Sequence, residues 1–275
     1  MKATKDFVKN LINQHPRRSK IFKRNLIKEY LQVVILDFIY SHSLYNELIF
    51  YGGSCLSHCY GLSRLSEDLD FVDLKRKVDL EKLAKDLKIF FEKKSDFKVL
   101  FKVQKFRIYL KFPILRDLKL STSSESDFLL LKIEIFKDFD FCSDYKIEIV
   151  PLFKFNHSIL IKTFDLSTLM ATKIKAILYR KWEKTNKKGK VLIAVKGRDY
   201  FDLMWYLTKK ITPNLSCLKE FKNKEELKTK LLERIEEVDS KSIFLDLENL
   251  IDDKNYVLNL SKNIKEILKR EIEKI

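Results

Sequence analysis

Apolar residues recur at helical spacing from about Ser19 to Ser43, where Ile27, Leu31, Val34, Ile35 and Phe38 predict a long amphipathic helix packed on a sheet. Leu48-Ile49-Phe50-Tyr51 is a short apolar run halted by two glycines, and Ser54 to Tyr60 continues as a helix, so the order is strand, glycine turn, helix. Leu69-Asp70-Phe71-Val72 reads as a second strand. Val78 to Glu92 follows as a helix with Leu80, Leu83, Leu87 and Phe90 along its buried side. Alternation of aromatic and β-branched residues marks strands between Phe97 and Phe112 and from Phe128 to Phe136, with Ser121 to Asp127 as a polar connection and Lys146 to Val150 as a further strand. Beyond Asp165 the period becomes helical, over Leu166 to Trp182, Arg198 to Lys209, Lys219 to Val238 and a last helix ending near Ile275. The chain therefore reads as α/β (α+β), with a sheet-bearing domain over residues 1–160 and a helical domain over 161–275.

Composition narrows the class. A chain of 275 residues, 45% of them hydrophobic, buries a proper core, which excludes a disordered polymer. A net charge of +16, from 55 basic against 39 acidic side chains, favours polyanionic partners such as RNA, DNA or nucleoside triphosphates. Lysine is spread along the whole chain, so charge supports a function found elsewhere and establishes none. Lys184 to Lys190, with Gly189, reads as an exposed basic loop.

Cys55, Cys59, Cys142 and Cys217 lack zinc-ribbon spacing and do not read as a disulfide framework, so a reducing cytoplasm is the simplest setting. Cys55, His58 and Cys59 share one helix with Leu56 and Tyr60, and read as buried packing and not as a metal site. The N-terminus has no apolar signal core, and Asp37 ends the Val33-Val34-Ile35-Leu36 run, so neither export nor membrane anchoring is expected.

The chemistry concentrates between Gly52 and Phe71. In Ser66-Glu67-Asp68-Leu69-Asp70-Phe71 the two-residue strand period aims Asp68 and Asp70 to one side, while Leu69 and Phe71 anchor the other. Paired carboxylates are hard oxygen donors of the kind magnesium prefers alongside substrate phosphates. Alone, an Asp-x-Asp pair is more often a solvated strand. Here it follows Gly52 and Gly53, which permit positive φ and close backbone approach, and Ser54 at a helix N-terminus, together a cradle for phosphate. Arg64 and Ser66 add a guanidinium and a hydroxyl suited to a triphosphate.

The run Gly52-Gly53-Ser54, Gly61, Arg64-x-Ser66-x-Asp68-Leu69-Asp70-Phe71 resembles the signature of the AbiEii/AbiGii toxin family, within the polymerase-β-like nucleotidyltransferase superfamily. The resemblance implies a mixed nucleotidyltransferase sheet with flanking helices, a third carboxylate on a neighbouring strand, and lysine and aspartate motifs in a helical part. Alternation in Leu131-Lys132-Ile133-Glu134-Ile135 puts Lys132 and Glu134 on one face, where Glu134 could complete a three-carboxylate metal site, with Glu148 as its rival; Glu134 is preferred because its position resembles the family's third-acid strand. Lys173 lies on the same helical row as Leu169 and Ile177, an inward face, and looks like the family's lysine, whereas Lys175 reads as surface charge. Lys196-Gly197-Arg198-Asp199-Tyr200-Phe201-Asp202-Leu203 looks like the later motif. Asp199 is expected in the active site; Asp202 and Arg180 are read as structural or substrate-side groups.

The expected activity is transfer of a nucleoside monophosphate from a nucleoside triphosphate (NTP), with Asp68, Asp70 and Glu134 holding Mg²⁺ (or Mn²⁺) and Gly52, Gly53, Ser54, Arg64, Ser66 and Lys173 holding the triphosphate. Catalytic residues are then Asp68, Asp70, Glu134, Lys173 and Asp199. The resemblance points to RNA, the tRNA 3′ end, as acceptor and to a toxin restrained by a cognate antitoxin. A small-molecule or protein acceptor, or a non-catalytic basic nucleic-acid-binding module, are the alternatives.

Overall fold

The computed structural model describes residues 4–121, 126–139, 142–180, 184–185, 191–193 and 195–274. The middle of the Ser121 to Asp127 connection, the stretch expected to carry a helix to Trp182, and residues 186–190 of the expected basic loop lie outside them. The chain divides into two compact units, residues 1–139 with 147–163 and residues 140–146 with 164–275.

The first unit holds α1 (Lys5–Asn13), α2 (Lys20–Ser41), β1 (Ile49–Tyr51), α3 (Gly52–Tyr60), β2 (Asp68–Val72), α4 (Leu80–Lys94), β3 (Leu100–Gln104), β4 (Arg107–Pro113), β5 (Phe128–Phe136), β6 (Ile147–Lys154) and β7 (His157–Phe164). The strands form one sheet in the order β3-β4-β5-β2-β1-β7-β6. It is mixed: β2 runs parallel to β5 and antiparallel to β1, while β4 is antiparallel to both β3 and β5. Side-chain oxygens start the helices, with Ser19 Oγ accepting from Phe22 N at 3.0 Å and Asp79 Oδ1 from Lys82 N at 3.1 Å.

Across β2, β4 and β5 one face of the sheet is apolar. Leu69, Phe71, Ile108, Leu110, Phe112, Leu131 and Ile133 are all fully buried, each contributing about 1.5–3 kcal/mol on transfer from water. Helix α4 packs on β3 and β4, where Phe91 meets Phe112 edge-on at 5.2 Å. The alternate residues, Asp68 and Asp70, Arg107 and Tyr109, Lys132 and Glu134, stand half-buried on the opposite face.

Helix α1 and strand β7 were absent from the sequence-based expectation. In β7 the inward residues are Ile159, Ile161 and Thr163, but outward Leu160 is 68% exposed, so apolar side chains on both faces conceal the two-residue period. The same masking operates in β6, where Ile147 and Ile149 face water and the strand runs on to Lys154. Pro151 is tolerated there because β6 is an edge strand.

The second unit holds α5 (Leu166–Tyr179), a ribbon of β8 (Lys184–Thr185) and β9 (Val191–Ile193), α6 (Gly197–Thr208), a 3₁₀ turn (Leu215–Cys217), α7 (Lys224–Glu236), α8 (Ser240–Leu247) and α9 (Lys254–Ile272). Helix α6 packs against α5, α8 and α9. The helix expected from Lys219 begins instead at Lys224, where Asn223 caps Glu226 N at 2.9 Å, and Asp239 starts α8 as a separate helix.

One cysteine pair corrects the expectation of four reduced thiols. Cys142 and Cys217 form a disulfide across a sequence separation of 75. That separation hides their juxtaposition, which is reinforced by Asn214 Nδ2 donating to Asp144 O at 2.6 Å and Ser216 Oγ to Asp144 Oδ2 at 3.2 Å. Cys55 and Cys59 are free thiols, and Cys55 is buried against Thr163 Oγ1 at 3.1 Å. Among the described residues no helix is long and apolar enough to cross a membrane.

Candidate active site

Strand β1 ends at Tyr51, and the chain turns through Gly52 directly into α3. Gly52 has φ +79°, and a Cβ there would meet Asp70 Oδ2 at 2.6 Å. Two constraints thus select glycine: the left-handed backbone and the carboxyl lying against its α-carbon. A Cβ on Gly53 would run into the Arg64 guanidinium. Arg64 is buried, with Nη1 donating to Leu65 O at 3.0 Å, so it lies behind the turn as a brace. Ser54 opens the helix fully buried, and its Oγ has no hydrogen-bond partner among the described residues.

Asp68 and Asp70 project from β2 beside β5, where Asp68 pairs with Lys132 and Asp70 with Glu134 in register. The parallel pairing brings Glu134 next to the acid pair. Glu148 lies on β6 at the far edge of the sheet, separated from β2 by β1 and β7, and its side chain accepts from Tyr60 Oη at 3.4 Å. Lys132 Nζ sits 3.1 Å from Asp68 Oδ2 and 3.0 Å from Glu134 Oε1, and Arg107 Nε reaches the same Glu134 oxygen at 2.5 Å.

These contacts split the carboxylates electrostatically. Burial, then the charges of Asp68 and Glu134, push Asp70 up to about 7. Burial also opposes ionisation of Glu134, but Lys132 and Arg107 outweigh it and hold Glu134 below its ordinary range. Among the described residues no three acidic, His or Cys side chains converge on one metal-sized point, Lys132 Nζ lying between Asp68 and Glu134. The donor set nonetheless fits a hard divalent cation: crowded carboxylate oxygens, one with its proton affinity raised by burial and then by its acidic neighbours, are what such an ion neutralises.

The group that fixes the segment before Asp68 belongs to none of the sequence motifs. Gln32, fully buried on α2, donates from Nε2 to Ser66 O at 3.1 Å, and its Oε1 accepts from His58 Nε2 at 3.0 Å. Burial pushes His58 down to about 3, so the imidazole is neutral. Gln32 thereby ties the motif helix to the segment preceding Asp68. The available signal was a lone amide inside the apolar run Leu31 to Leu36. Ser66 itself is buried, its carbonyl held by Gln32.

The second unit carries a buried ionic cluster of its own. Lys173 Nζ lies 2.7 Å from Asp199 Oδ1 and 2.8 Å from Asp202 Oδ2, and Arg180 Nη1 lies 2.9 Å from Asp199 Oδ2. Burial disfavours the Asp199 charge, but Lys173, Lys196 and Arg180 overcome it and hold the carboxyl well below the usual range. Lys196, half-buried beside Arg198, is pushed down to about 8 by burial and like charge. Lys173 is inward-facing, as its row with Leu169 and Ile177 requires, and Lys175 instead approaches Glu220 at 3.6 Å.

A search of curated proteins returned no match. JHP933 from Helicobacter pylori is similar in fold, with a TM-score of 0.50 at 17% identity over 91% of this chain and 94% of that one. An H. pylori structure described as a candidate nucleotidyltransferase gives 0.46 at 16% identity, over 90% and 96% of the two chains. The profile of the family described as nucleotidyl transferase AbiEii toxin, type IV toxin–antitoxin system, matches residues 36–270. With its glycine turn packed against an acid pair on a mixed sheet, and with that match spanning most of its length, the chain belongs to the AbiEii family of nucleotidyltransferase toxins.

Proposed function

We propose that the protein transfers a nucleoside monophosphate from an NTP to a hydroxyl of an RNA acceptor, the tRNA 3′ end, and that the transfer arrests growth unless a cognate antitoxin counters it. The observation that carries the reading is the contact between Gly52 and Asp70, which sets an acidic pair against a phosphate-cradling turn. The acceptor oxygen attacks the α-phosphorus in line, a new P–O bond forms, the bond to the β-phosphate breaks, and pyrophosphate leaves.

Asp68, Asp70 and Glu134 would hold Mg²⁺ or Mn²⁺, which when bound neutralises triphosphate charge. Gly52 and Gly53 present backbone amides to the phosphates, and Ser54 Oγ, buried with no hydrogen-bond partner among the described residues, donates to a phosphate oxygen. Arg64 and Ser66, expected on the triphosphate, are buried and hydrogen-bonded to the protein, and we assign them to bracing the turn from behind instead. Glu134, held ionised by Lys132 and Arg107, orients the attacking hydroxyl. Catalytic roles for Lys173 and Asp199 rest on their motif and on the cost of burying such a cluster.

Incubation with labelled triphosphates, Mg²⁺ and total tRNA tests the reading. Labelled RNA from the wild type and none from Asp70→Ala is the expected result. Label in a small molecule or a protein would transfer the same chemistry to another acceptor. RNA binding with no product for any of the four nucleotides would leave only a basic binding module.

A further inference from the structure

Strands β3, β4 and β5 present an open face with an ordered cross-strand pattern. Register places Leu100, Lys111 and Leu130 in one row, Lys102, Tyr109, Lys132 and Asp68 in the next, and Gln104, Arg107, Glu134 and Asp70 in the third. Two of these rows thus end on the acid pair. Arg107 and Lys132 are engaged by Glu134 and Asp68, but Lys102 and Lys111 make no ion pair among the described residues. Leu100 and Leu130, which flank Lys111, are 51% and 49% exposed, an apolar addition to this face. The acids on this face are Asp68, Asp70 and Glu134, all at its β2 side, so negative charge gives way to positive from β2 to β3.

We propose that this face binds the single-stranded end of the polynucleotide acceptor, with Lys102 and Lys111 on its phosphates and the Tyr109 ring under a base. The proposal rests on the transfer reading above and locates its acceptor. Charge complementarity selects the occupant: a phosphate backbone is repelled by the acid pair and attracted to cations one to three strand spacings away, about 5–15 Å. A strand lying from β3 towards β2 delivers its terminal hydroxyl to the acids. Aromatic rings flanked by cations on an open sheet are how single strands are held without reading sequence, because every base has a stacking face.

The test is fluorescence anisotropy of labelled single-stranded ribo- and deoxyribo-oligonucleotides on the full chain, with labelled NTP binding measured in parallel. In Lys102→Gln/Lys111→Gln we expect oligonucleotide affinity to fall at least about tenfold and the slope of log K against log salt to shrink by about 1.4, two released counterions for a single strand. Tyr109→Ala should weaken binding about tenfold with the salt slope unchanged. Preference for the ribo-oligonucleotide identifies the strand as RNA, and equal or reversed preference leaves a polynucleotide strand of either sugar. NTP binding should be unaltered in these variants.

Unchanged oligonucleotide binding in the double variant, or none in the wild type, overturns the proposal. So does an equal loss in Lys85→Gln/Lys93→Gln, a pair of exposed cations on α4 behind the sheet, since that would mean charge without a site. Loss of NTP binding in step with oligonucleotide binding would assign the face to the triphosphate and also overturn it. Binding read this way is independent of turnover, so absence of any transfer product would sink the catalytic reading and leave the surface standing.

Discussion

Asp70 lies in register with Glu134 on the neighbouring parallel strand, and its carboxyl packs on the α-carbon of Gly52. Three features distant in sequence thereby meet: the turn, the acid pair and a third carboxylate.

The crowding has a pH signature. In metal-free buffer Asp70 is held up to about 7 against an ordinary 3.8, so between those values the folded chain binds a proton that the unfolded chain has released. Stability must then fall as pH rises through that window. Asp70→Asn removes the effect and should exceed the wild type in melting temperature at pH 8 with chelator present, the gap closing towards pH 4, as thermal melts across this range would register. A pH-independent difference contradicts the assignment.

Gly52→Ala forces a side chain into φ +79° and into Asp70 Oδ2. We expect a stability loss of about 1 kcal/mol or more. Displacement of the acid should lower transfer about a hundredfold. Melting curves and initial rates on one preparation separate the two effects.

Lys173 is the shared cation of Asp199 and Asp202, which are 4% and 0% exposed. Lys173→Ala leaves Asp202 without that cation, and should cost about 3–5 kcal/mol in urea denaturation. Adding Asp202→Asn should recover part of the loss.

Cys217→Ser opens the bridge to Cys142. It should lower stability by about 2–4 kcal/mol, and the wild type in reducing agent should move to the same value. A non-reducing peptide map reports the link directly.

Much of this architecture was readable because burial and sequence period agree. Leu69 and Phe71 alternate with Asp68 and Asp70, so β2 declares both its core face and its acids, and β5 does the same for Lys132 and Glu134. The glycine turn was legible for a similar reason, since few residue types satisfy its backbone. β7 was concealed by outward Leu160, and Gln32 by the apolar helix around it. The register that sets Glu134 beside Asp70, and the approach of Cys142 to Cys217, are products of tertiary pairing that no local pattern encodes.

The most direct measurement compares transfer from NTP labelled at the α-phosphorus with transfer from NTP labelled at the γ-phosphorus, using wild type, Asp68→Asn and Asp70→Asn. The account requires α-label on an acceptor and γ-label in released pyrophosphate with the wild type, and neither product with the two variants. Variants as active as the wild type, or γ-label on the acceptor, would contradict it.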